Sequence, residues 1–167
     1  MKRIRKLQKK DASQMLCCLN DSDNMKYLTI GQRKWLLDDC LRFIGKAKKD
    51  ALNKHFAIID DNNEWIGTIS LKNIDSINKK AEFAIITDNA VHGKGYAKEA
   101  TKELLLYAFQ DLSLHKVYLN VISKNIRAIQ FYKKCGFNYV GTSHDSILVG
   151  DSFYDLEWYE FLNHSFF

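Results

Sequence analysis

The sequence predicts an α/β (α+β) fold: one domain over residues 1–167 with a mixed, mostly antiparallel central sheet of about seven strands, flanked by about four helices. Three observations lead there. Apolar residues alternate over several short segments, as in half-buried strands. Three of those segments follow one another between residues 55 and 87 with only short turns between them, which makes a meander. Beyond residue 94, helical and strand patterns alternate. With 167 residues, 46% hydrophobic and 13% aromatic, the chain can bury one good core.

Each element has a local reason. Residues 3–7 (RIRKL) alternate like a strand, with the basic residues around them read as a solvated flank. Asp11 is placed to cap a helix whose apolar face holds Met15, Leu16 and Leu19, and DSDN at 21–24 ends it. A second helix, roughly 33–48, is expected to set Leu36, Leu37, Cys40, Phe43 and Ile44 on one face. HFAIID (55–60) and EWIGTISLKNI (64–74) form a hairpin about DNN, and AEFAIIT (81–87) adds a third strand. From Lys94, the residues Ala97, Ala100, Leu104 and Ala108 recur at helical spacing. KVYLNVI (116–122) alternates as a strand. Asn125 then caps a short helix that Gly136 stops, and residues 138–162 supply two last strands.

Composition removes several function classes. No stretch of about 18 apolar residues is present to span a bilayer, and MKRIRKLQKKDASQ has a basic flank without a signal peptide's apolar core, so a cytoplasmic protein with no membrane association is expected. Cys17, Cys18, Cys40 and Cys135 form no C-x-x-C pair and lie near no histidine at metal-ligand spacing, so reduced, mostly buried thiols and no metal are expected. A formal net charge of +5 favours an anionic ligand. No RNA-binding aromatic motif or zinc finger accompanies it, so no nucleic-acid partner is expected.

The segment DNAVHGKGYAKEA (88–100) sets two glycines where a strand hands over to a helix. Such a turn leaves backbone N–H groups unpaired at the positive end of a helix dipole, which makes an anion site suited to phosphate. It is not a Walker loop, because Gly95 follows Gly93-Lys94 where Ser or Thr is needed. It is not a dinucleotide fingerprint either, because Lys98 stands at the third glycine position. Taken alone, a turn that uses glycine purely for its geometry accounts for it equally well.

HGKGYA (92–97), followed by SKNIRAIQFYKKCGF (123–137), resembles the GNAT superfamily of acetyl-coenzyme A-dependent N-acetyltransferases, in the branch of ribosomal-protein N-terminal and spermidine acetyltransferases. The likeness covers roughly residues 53–161. The family's signature is Gln or Arg, two residues, Gly, one residue, then Gly or Ala, and its backbone amides grip the coenzyme A pyrophosphate. Gly95 and Ala97 fill the last two places, and His92 departs from the first. The resemblance implies a coenzyme site formed by His92, Gly93, Lys94, Gly95, Tyr96, Ala97 and Lys98, by the strand edge Ala84, Ile85, Ile86 and Thr87 against the pantetheine, and by Asn125 and Ala128. It also implies that Tyr132 lies near the thioester sulfur, and that acetyl-CoA is the co-substrate, attacked directly by the acceptor in a ternary complex.

That chemistry sets the roles. An amine with a pKa of about 10 must lose a proton to attack, and the leaving thiolate, from a thiol nearer 8.5, benefits from receiving one. Tyr132 is the candidate acid. Glu82, on the strand before the turn, is the candidate base. Cys135 reads as packing at a helix end and His115 as structural.

A small-molecule amine or a protein N-terminus is the expected partner, in a protein able to form a homodimer. MKYLTIGQRKWLLDD (25–39) is expected to shape the acceptor pocket. Its basic residues place polyamines below amino sugars and nucleotide-linked amino sugars. A coenzyme A-binding sensor without catalysis is the alternative from another class.

Overall fold

The computed structural model describes residues 2–27 and 33–165. Its frame is one seven-stranded sheet, β1 (Ile4–Lys6), β2 (Lys54–Ile59), β3 (Trp65–Asp75), β4 (Lys80–Thr87), β5 (Lys116–Ile122), β6 (Asn138–Val149) and β7 (Ser152–Leu162), in the order β1-β2-β3-β4-β5-β7-β6. β4 and β5 run parallel and every other neighbouring pair is antiparallel, so the expected mixed, mostly antiparallel sheet is what forms.

The parallel pair is short. β4 meets β5 only through Lys80↔Lys116, Ala81↔Val117 and Glu82↔Tyr118. Beyond Glu82, β4 stays paired to β3 as far as Thr87, while β5 stays paired to β7 as far as Ile122. The sheet therefore opens into a wedge, and one edge of β4 past Glu82 is left without a strand partner.

The helices are α1 (Ala12–Leu19), the single turn α2 (Ser22–Met25), α3 (Leu37–Ala47), α4 (Tyr96–Leu106) and α5 (Ile126–Lys134). α1 and α3 cover one sheet face, packing Met15, Cys18, Cys40 and Ile44 on Ala57 and Trp65. α4 and α5 cover the other, where Leu104, Leu105, Ile129 and Tyr132 meet Leu71, Phe83, Val117 and Leu119. The strands carry apolar residues toward both layers, so their central segments lie buried on each face.

Four local readings change. DSDN does not simply end α1: Asp21 accepts from Asp23 N at 2.9 Å and starts α2. Leu36 and Leu37 are exposed, because α3 begins only at Leu37 and its buried face starts with Cys40 and Ile44. α4 begins at Tyr96 rather than Lys94, since Gly95 occupies the left-handed cap position. Asp11 does not cap α1. Its carboxylate, 1% exposed, instead receives both Nη atoms of Arg5 at 2.8 Å and the Gln8 N–H at 2.8 Å.

The basic amino-terminal strand is likewise only partly solvated. Arg3 turns inward, with Nε 2.5 Å from Glu99 and Nη1 2.7 Å from Asp61, and its guanidinium lies 4.7 Å above the Tyr96 ring. Tyr96 donates its hydroxyl to Asp61 at 3.1 Å. These contacts tie the first turn of α4 to β1 and to the β2–β3 turn.

Candidate active site

The glycine turn is built for its backbone. Gly93 and Gly95 have φ of +81° and +85°, a region that side-chain-bearing residues rarely occupy. A Cβ on either would meet nothing within 4 Å, so packing is not what demands glycine there. In the first turn of α4, Lys98 N and Glu99 N donate to Gly95 O at 3.0 and 3.1 Å. Among the described residues, the N–H groups of Gly93, Gly95, Tyr96 and Ala97 have no acceptor. Four free donors at the positive end of an 11-residue helix form an anion cradle, with Lys94 and Lys98 exposed beside it.

His92 belongs to the turn but is drawn in from solvent. It is half-buried, and its Nε2 lies 3.0 Å from Thr87 Oγ1, which braces the cradle against the end of β4. Burial, helped by the charge of Arg127, holds its imidazole below the usual pKa.

From the cradle, the free edge of β4 runs back along Thr87, Ile86, Ile85 and Ala84 toward Phe83, where β4 parts from β5. Tyr132 of α5 packs there, its ring centroid 6.0 Å from Phe83 and 6.1 Å from Phe137, both edge-on. It is 8% exposed, and burial pushes its pKa up to about 12. The phenol is therefore a proton carrier at neutral pH. Asn125 caps α5 through Oδ1, which accepts from Ala128 N at 3.2 Å, leaving its amide donors uncommitted. Cys135 ends that helix half-buried, and burial raises its thiol to about 11, which suits packing rather than nucleophilic attack.

Glu82 does not converge with Tyr132. Successive strand residues alternate in direction, so with Phe83 against Tyr132, Glu82 lies on the opposite face. There it pairs with Lys72 Nζ at 3.0 Å and accepts from Asn73 Nδ2 at 3.0 Å. The His115 ring is exposed. It is the backbone of His115 that bonds, its N donating to Lys79 O and its O accepting from Asn163 N. Among the cysteines, Cys18 and Cys40 are buried and Cys17 is exposed.

A cavity of about 320 Å³ lies between α1, α3 and the β2–β3–β4 face, and Ala84, Ile85 and Ile86 form part of its wall. Its other walls are mainly apolar and aromatic, with Trp35, Phe43 and Trp65 prominent. Trp35 is held by Asn20, which accepts from its N–H at 2.9 Å and donates to its carbonyl at 3.0 Å. Among the described residues, the buried indole Nε1 of Trp35 has no acceptor. Asp39 also lines this cavity, paired with Arg33 at 3.0 Å. The Leu36 N–H, and then Arg33, hold its carboxyl below the usual range. Of the expected pocket segment 25–39, residues 28–32 lie outside the described residues, and 33–39 reach the cavity through Trp35 and Asp39.

Trp35 belongs to the segment expected to shape the pocket, whereas His55 and Ser70, which also line the cavity, carry no mark in the sequence pattern around them. His55 Nδ1 lies 2.7 Å from Ser70 Oγ. Hairpin register was the available signal: the turn about residues 60–64 sets position 55 opposite position 70.

Residues 3–138 match the family described as "Acetyltransferase (GNAT) domain". The chain belongs to that family. It is 29% identical over 139 residues to the spermidine N(1)-acetyltransferase of Vibrio cholerae, covering 83% of this chain and 80% of that one. To the Escherichia coli K12 enzyme of the same name it is 29% identical over 146 residues, covering 83% and 74%. Among solved structures, the Vibrio cholerae spermidine N-acetyltransferase in complex with CoA and spermine superimposes with a TM-score of 0.88 at 27% identity, over 98% of this chain and 96% of that one. This GNAT protein is thus an N-acetyltransferase that uses acetyl-CoA as co-substrate and an amine as acceptor. The cradle fits that donor: four convergent N–H groups match a diphosphate, and an unpaired strand edge matches the amides of a pantetheine arm. Among the described residues, no helix is long and apolar enough to cross a membrane.

Proposed function

We propose that this GNAT enzyme acetylates a primary amine carried on an oxygen-bearing body, such as an amino sugar, a nucleotide-linked amino sugar or a protein N-terminus, and that the acceptor sits in the cavity against β4. The observation that carries this reading is Trp35. Among the described residues its buried indole N–H has no acceptor, which costs about 1–3 kcal/mol that a hydroxyl or carbonyl oxygen brought to it by the acceptor would recover. A protonated polyamine has only donors and cannot do so. Nor, among the described residues, does the cavity offer it an unpaired carboxylate, since Asp39 is taken by Arg33.

In this reading the N–H groups of Gly93, Gly95, Tyr96 and Ala97 hold the pyrophosphate, with Lys94 and Lys98 adding charge and His92 bracing the turn. Asn125 and Ala128 approach the coenzyme from α5, and Ala84–Thr87 bind the pantetheine. The amine attacks the acetyl carbonyl directly. A backbone N–H on the free edge of β4 then stabilises the oxyanion, and Tyr132 protonates the leaving sulfur. Glu82, on the acceptor face of β4, is held by Lys72 and Asn73 and so is no more open to an ammonium group than Asp39 is.

Spermidine is the second reading, supported by the similarity to the Vibrio and Escherichia spermidine N(1)-acetyltransferases. Comparing kcat/KM for glucosamine, a nucleotide-linked amino sugar, N-terminal peptides and spermidine decides between them. An oxygen-bearing amine is expected to lead, and Trp35→Phe should narrow its advantage. Spermidine leading, with Trp35→Phe without effect, overturns the substrate assignment.

A further inference from the structure

Three residues form a row across the sheet on the cavity side. His55 of β2 is opposite Ser70 of β3, and Ser70 is opposite Ala84 of β4. All three line the cavity, and Ala84 belongs to the strand edge against which the thioester lies in the reading above. The Ser70 hydroxyl therefore stands between the acetyl position and the imidazole, 2.7 Å from Nδ1. Ser70 is 5% exposed, and the His55 ring is held edge-on against Phe43 of α3, with centroids 4.8 Å apart.

We propose that Ser70 and His55 are the proton-accepting pair of the transfer, taking the proton that the acceptor nitrogen loses as it attacks. This rests on the acceptor occupying the cavity. With the ring proton on Nε2, Ser70 donates to Nδ1. As the nitrogen lone pair forms the C–N bond, an N–H proton passes to Ser70 Oγ, and the Ser70 proton passes to Nδ1, leaving an imidazolium. Collapse of the tetrahedral adduct breaks the C–S bond, and the sulfur takes the Tyr132 proton. The imidazolium loses its proton to solvent and the phenolate regains one, so the balance is amine plus thioester giving amide plus thiol.

The surroundings favour an imidazole that is neutral before the step. Burial, the largest influence, lowers the His55 pKa, and Lys72 of β3 lowers it further, while Asp50 before β2 raises it. Asp39 and Cys40 of α3 share the cavity, the first paired with Arg33 and the second with its thiol pushed up by burial.

The test is kcat against pH for wild type, His55→Gln, His55→Ala and Ser70→Ala, with coenzyme A binding titrated directly as the control for folding. Wild type should show an acid limb below about pH 6.5. Both His55 variants should lose about 10²-fold in kcat together with that limb, and added imidazole should restore turnover to His55→Ala. Ser70→Ala should lose about 10-fold or more. Full kcat in His55→Gln overturns the proposal, as does a loss that leaves the limb in place and resists imidazole, or a limb that moves with Glu82→Gln instead. Trp35→Ala separates this from the seating of the acceptor. A raised acceptor KM there with full kcat in His55→Gln sinks the proton route alone, and no change in either variant removes the acceptor from the cavity.

Discussion

Thr87 Oγ1 and His92 Nε2 lie 3.0 Å apart, joining the last residue of β4 to the turn that opens α4. At the place where the resemblance expects Gln or Arg, this chain therefore has a ring that fastens the cradle to the end of β4. Its bond to Thr87 is worth about 1 kcal/mol, so His92→Ala should raise the KM for acetyl-CoA roughly fivefold. Steady-state kinetics at saturating acceptor reads this, and an unchanged KM would count against the brace.

Gly95 makes a sharper case. Open space surrounds its Cβ position, so Gly95→Ala meets only the cost of φ +85°, on the order of 1 kcal/mol. Gly95→Glu adds a carboxylate beside the four free N–H groups. Coenzyme titration should show modest weakening for the first and a loss of tenfold or more for the second. Equal affinities would mean the pyrophosphate binds elsewhere.

Gly67 of β3 lies beside β4, opposite Thr87. A Cβ there would stand 2.6 Å from Ile86 O and 3.0 Å from Thr87 Cγ2. Gly67→Ala must push the free edge of β4 aside, costing about 1–3 kcal/mol of stability and weakening coenzyme binding with it. Thermal unfolding with and without acetyl-CoA measures both.

Arg5 and Asp11 hold the start of the chain. With Asp11 1% exposed and bonded twice to one guanidinium, Arg5→Met strands a buried carboxylate. The expected loss is about 3 kcal/mol in denaturant unfolding, larger than an exposed ion pair would give. A loss under about 1 kcal/mol would show the pair to be solvated.

Much of this arrangement could be read from residue order. Strand alternation and helix caps such as Asn125 depend on near neighbours, so the sheet, α5 and the glycine turn were legible, whereas Tyr132 stands out only through the resemblance of its motif. What escaped depends on pairing across the fold. Asp11 looks like a helix cap in sequence, but Arg5 lies close enough in space to claim its carboxylate. Leu36 and Leu37 fit a helical stripe, yet α3 begins at Leu37, about four residues after the expected start, and leaves both exposed. His55 and Ser70 are separated by 15 positions, and only the β2–β3 register joins them. The split between β4 and β5 leaves no mark in composition at all, because it is set by which strands β3 and β7 retain.

The central claim is that the wedge holds acetyl-CoA with Tyr132 poised to protonate its sulfur, and Tyr132→Phe tests it most directly. The phenol has no hydrogen-bond partner among the described residues, so the change keeps the ring packing against Phe83 and should spare stability. Thiol release with a saturating acceptor should fall about 10²-fold while directly titrated acetyl-CoA binding stays within about twofold. Turnover equal to wild type in a Tyr132→Phe protein that binds the coenzyme normally would contradict the account.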